Sequence, residues 1–85
     1  PIVVNEQTLA LQQRLVAVIQ AYDDSFSLYD IRIDMEHRKI SFDVQVPHDV
    51  KYTKEELSQK LSQLVEAVLP TFLVKPNVVH GYTGV

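Results

Sequence analysis

The chain has 85 residues, with 8 Lys+Arg against 11 Asp+Glu, a net charge of −3 and no cysteine. That length suits one domain over residues 1–85 with a thin core, which a partner surface helps to complete. Missing cysteine excludes a disulfide scaffold, a thiolate zinc site and a cysteine nucleophile, and the acidic balance argues against a nucleic-acid partner.

After the apolar lead Pro1–Val4, Asn5 stands as a helix N-cap with Glu6 and Gln7 in the first turn. Leu11, Leu15, Val18, Ile19 and Tyr22 then recur at helical spacing, and Asp23, Asp24 and Ser25 close the helix. The period next changes to two. Tyr29, Ile31, Ile33 and Met35 are predicted to share the buried face of a strand, with Asp30, Arg32, Asp34 and Glu36 on the wet face. His37 and Arg38 form the turn centre of an antiparallel hairpin. In its second strand Ile40, Phe42, Val44 and Val46 point inward, and Pro47 ends it.

Thr53-Lys54-Glu55-Glu56 is a capping box ahead of a second apolar stripe, Leu57, Leu61, Leu64, Val65 and Val68, which Pro70 stops. A third strand is expected over Asn77–Tyr82, with Pro76 just before it. The strand–helix–strand unit predicts a right-handed crossover, making strands two and three parallel and strand two central. The fold class expected is therefore α+β: a ferredoxin-like open-faced sandwich in αββαβ order, a three-stranded mixed sheet with two helices on one face. No apolar run approaches the ~20 residues of a membrane span, and no signal peptide is visible at the start.

The segments Phe26-Ser27-Leu28-Tyr29-Asp30-Ile31-Arg32 and Ile40-Ser41-Phe42-Asp43-Val44-Gln45-Val46-Pro47 resemble the cytosolic C-terminal domain of cation diffusion facilitator transporters. The resemblance runs from about Asn5 to Tyr82. It implies a homodimerising regulatory module of a divalent-cation efflux transporter, on the cytoplasmic side of the inner membrane, with a transmembrane domain as its covalent partner and no enzymatic activity. In some members of the family the dimer interface binds a divalent metal, zinc first among them. On this pattern Asp30 and His80 match family positions, whereas Tyr29 stands where the family has histidine. Tyr82 and Gln45 replace two further ligand positions.

His48 is predicted at the same end of the sheet as His80, because parallel strands bring their C-terminal ends together. Two imidazoles with Asp49 or Asp30 make a nitrogen–oxygen set suited to zinc. Tyr29 and Phe26 are weighed as dimer contacts against ordinary core, and Asp34 with Lys39 as a cross-strand pair. His37 reads as a solvated turn residue. Two other functions stay in view. One is a free-standing ACT-like interaction module. The other is a tautomerase using the Pro1 amine as general base.

Overall fold

In the computed structural model, residues 6–82 are described, the side chain of Tyr82 excepted. The elements run α1 (Glu6–Tyr22), β1 (Ser27–Asp34), β2 (Lys39–Pro47), α2 (Lys54–Val68) and β3 (Leu73–Tyr82). The sheet order is β1-β2-β3, with β1 antiparallel and β3 parallel to the central β2. This is the expected αββαβ ferredoxin-like arrangement. No helix among the described residues is long and apolar enough to cross a membrane.

The helices form where local signals agree. The Thr53 hydroxyl accepts from the Glu56 N–H at 3.1 Å, and the Glu56 carboxylate accepts from the Thr53 N–H at 2.9 Å. Two backbone donors that the helix leaves open are thereby satisfied. The Asn5 cap expected for α1 lies outside the described residues. At its other end, Asp23 Oδ1 accepts from both the N–H and the hydroxyl of Ser25, turning the chain toward β1.

Leu15 and Ile19 of α1 and Leu57, Leu61 and Val65 of α2 bury against Ile40, Phe42, Val44 and Val46 of β2. Each of these nine side chains keeps 2% exposure or less, so β2 supplies the floor of the core and the helices its lid. Phe26 joins this core, its ring edge-on to Tyr22 at 5.9 Å, and of its two readings ordinary core holds. Arg14 ties α1 to α2 by donating to the Val68 carbonyl at 3.4 Å.

Two expectations need correction. The third strand begins at Leu73, not Asn77, and runs straight through Pro76. Val74, Pro76 and Val78 share a parity whose backbone groups face the free edge, since the Val74 N–H donates to Glu66 on α2. Proline there removes a donor that β2 never uses, so the ladder survives.

The second correction concerns Tyr29. Asp30 and Ile31 together oppose the single residue Phe42, because the register jumps between Tyr29↔Asp43 and Arg32↔Ser41. This β-bulge adds one residue to β1 and shifts its phase. Ile31 and Ile33 stay on the core side, but Leu28 takes the inward place before the bulge and Tyr29 turns outward, 54% exposed. Met35 also leaves the strand: it lies in the turn 35–38 while packing against the core edge.

Candidate functional site

The sheet face turned away from the helices is the surface left to act. Its rows follow from the register: Asp34, Lys39 and Leu73; Arg32, Ser41 and Lys75; Tyr29, Asp43 and Asn77; Ser27, Gln45 and Val79. Asn77 donates to Asp43 at 3.1 Å, tying β3 to β2 in the row that carries Tyr29. Arg32, Lys39 and Lys75 gather toward the hairpin turn. Asp43 lies toward the other end, among Tyr29, Gln45 and a Val79 that is 38% exposed. Asp34 stands with Lys39 at the hairpin end and Arg32 is paired with Asp30, so both signs of charge are interspersed along the face.

Tyr29 owes its display to strained backbone. Asp30 sits at φ 54°, the left-handed region that favours glycine, and aspartate is among the side chains that tolerate it. Its carboxylate accepts from Arg32 at 3.1 Å, an exposed pair worth little in itself. At the hairpin turn, Asp34 Oδ1 accepts from the His37 N–H at 3.0 Å, and Oδ2 lies 2.9 Å from His37 Nδ1. These bonds, the backbone one first, hold the Asp34 carboxyl below its ordinary pKa. Lys39 stands opposite Asp34 in the register, but the carboxylate is engaged by His37. His37 is therefore an exposed turn residue with a local partner.

The candidate metal residues fall in two places. His48 directly follows Pro47 at the end of β2, and His80 lies near the end of β3, where Pro47 pairs with Tyr82, so the two histidines share one end of the sheet. His80 is half-buried and lies where the β2–β3 register shifts, between Gln45↔Val79 and Pro47↔Tyr82, whereas Tyr29 is on the open face. Asp30 is on β1, the opposite edge strand from β3, about four register positions from His80. Strand spacing and rise put them on the order of 15 Å apart. One chain therefore does not unite His80, His48 and Asp30. Among the described residues, no three His, Asp or Glu side chains gather into a metal-holding group. Pro1, the base of the tautomerase alternative, lies outside the described residues.

Leu73, Lys75, Asn77 and Val79 are the face residues that pattern reading passes over. Their alternation with Val74, Pro76, Val78 and His80 is present in the sequence, and beginning the strand before Pro76 reveals it. Compared with protein-family models, curated proteins and solved structures, the chain finds no match.

Proposed function

We propose that this chain is a homodimerising regulatory module of the kind carried by cation diffusion facilitator transporters, and that it pairs with a second copy through the open sheet face. The observation that carries the reading is Tyr29, an aromatic side chain displayed on that face by a bulge. Interface anchors are enriched in tyrosine, which brings large contact area and a polar tip at low entropic cost. Further support comes from the αββαβ order, which the family resemblance also implies.

In this role the dimer couples two transporter halves. Control by a divalent cation would draw donors from both copies, with His80 and His48 as the nitrogen ligands.

Sedimentation equilibrium of the full chain, with zinc and with chelator, tests this beside His80→Ala. A dimer that tightens in zinc, and does so only when His80 is present, supports the metal-controlled form. A dimer indifferent to zinc overturns that form and leaves constitutive dimerisation. A monomer under every condition overturns the function.

A further inference from the structure

The free edge of β3 does not face water alone. Three α2 side chains one turn apart, Ser58, Ser62 and Glu66, reach across to it. The Val74 N–H donates to Glu66 Oε2 at 3.2 Å, and the Ser62 hydroxyl lies 3.2 Å from both the Val74 carbonyl oxygen and Glu66 Oε2. The Ser58 hydroxyl lies 3.4 Å from the Pro76 carbonyl oxygen. All three α2 side chains are half-buried along this seam.

The spacing is why the contacts repeat. Four residues of helix advance about 6 Å, and two residues of strand advance roughly 6.6 Å. An i, i+4 row on α2 therefore keeps step with alternate residues of β3 over a few contacts. At Val74 the glutamate oxygen and serine hydroxyl supply the acceptor and donor that a neighbouring strand would supply. At Pro76 only an acceptor needs a partner, because proline carries no N–H.

We propose that Ser58, Ser62 and Glu66 form an edge lock: α2 stands in for a fourth strand over Val74–Pro76 and prevents another copy of this chain from adding its own strand there. An unprotected edge strand is a ready template for such pairing. The groove between α2 and β3, about 610 Å³, lies over this seam and is lined by Ser58, Ser62, Val74 and Pro76, residues that the lock itself uses. With the edge closed, self-association is directed away from β3.

Amide exchange followed by NMR on the full chain tests the lock, with Glu66→Ala as the first variant. Alanine keeps helix propensity, so the substitution addresses the contact and spares the helix. Losing a bond to a charged acceptor should speed exchange at the Val74 amide by about 10-fold or more, with the Val44 and Val46 amides unchanged. A second arm replaces Ser58, Ser62 and Glu66 together by alanine in a Tyr29→Ala background, which removes the proposed face-to-face contact. Sedimentation velocity should then show association that Tyr29→Ala alone lacks. A Val74 amide that exchanges equally fast with and without Glu66 overturns the proposal. So does a folded triple variant whose sedimentation is unchanged. If the triple variant fails to fold, the Glu66→Ala exchange result decides.

Discussion

β1 and β2 carry the same alternation of apolar and polar residues, yet only β2 keeps it. From Lys39 to Pro47 its inward residues Ile40, Phe42, Val44 and Val46 are all buried. β1 carries an extra residue at Asp30–Ile31 and reverses the face of Tyr29. The difference lies in position. β2 is hydrogen-bonded on both sides and packed under both helices, so an inserted residue would disrupt two ladders and the core at once. β1 has a ladder on one side only, and its free edge accommodates the bulge. Alternation is thus enforced where a strand is central, and an edge strand can depart from it to aim a side chain elsewhere.

A substitution in the core of β2 should cost the most stability. Phe42, 2% exposed, is the large core side chain of β2 at the register position opposite the bulge. Phe42→Ala is expected to lower stability by about 3–5 kcal/mol in urea unfolding, from lost burial plus the cavity left behind. A loss below about 1 kcal/mol would show that β2 does not anchor the core as described.

A smaller change is expected at the bulge of β1. Glycine at position 30 relieves a left-handed conformation that costs a typical side chain about 1–2 kcal/mol, and aspartate less. Extra freedom in the unfolded chain offsets up to about 1 kcal/mol of that gain. Asp30→Gly should therefore change stability by no more than about 1 kcal/mol, in either direction, while Tyr29 stays on the open face. A substantially larger loss would mean that the Asp30 side chain, and not the backbone turn it occupies, holds the bulge. Thermal unfolding with NMR contacts to the Tyr29 ring distinguishes the two.

Much of the fold is legible from residue pattern because several signals coincide: helical spacing in α1, the capping box and apolar stripe of α2, the alternation of β2 and the handedness rule that makes β3 parallel. Pro76 obscures the start of β3, since proline halts a central strand but is tolerated on an edge whose N–H side is free. The face of Tyr29 is not legible at all, because a bulge changes phase without a glycine to mark it. The candidate site is readable in part. Parallel pairing places His48 and His80 at one end. The same strand order, followed through, separates Asp30 from His80, since β1 and β3 flank β2 on opposite sides.

In the proposed dimer the open face, through Tyr29, joins two copies. Sedimentation equilibrium of Tyr29→Ala beside the parent chain tests it most directly, with thermal unfolding of both as the control for folding. Removing an exposed side chain should leave stability within about 0.5 kcal/mol. Removing an interface anchor should weaken the dimer by roughly 10-fold or more. A Tyr29→Ala chain that dimerises as tightly as the parent would contradict the account and move the interface off this face.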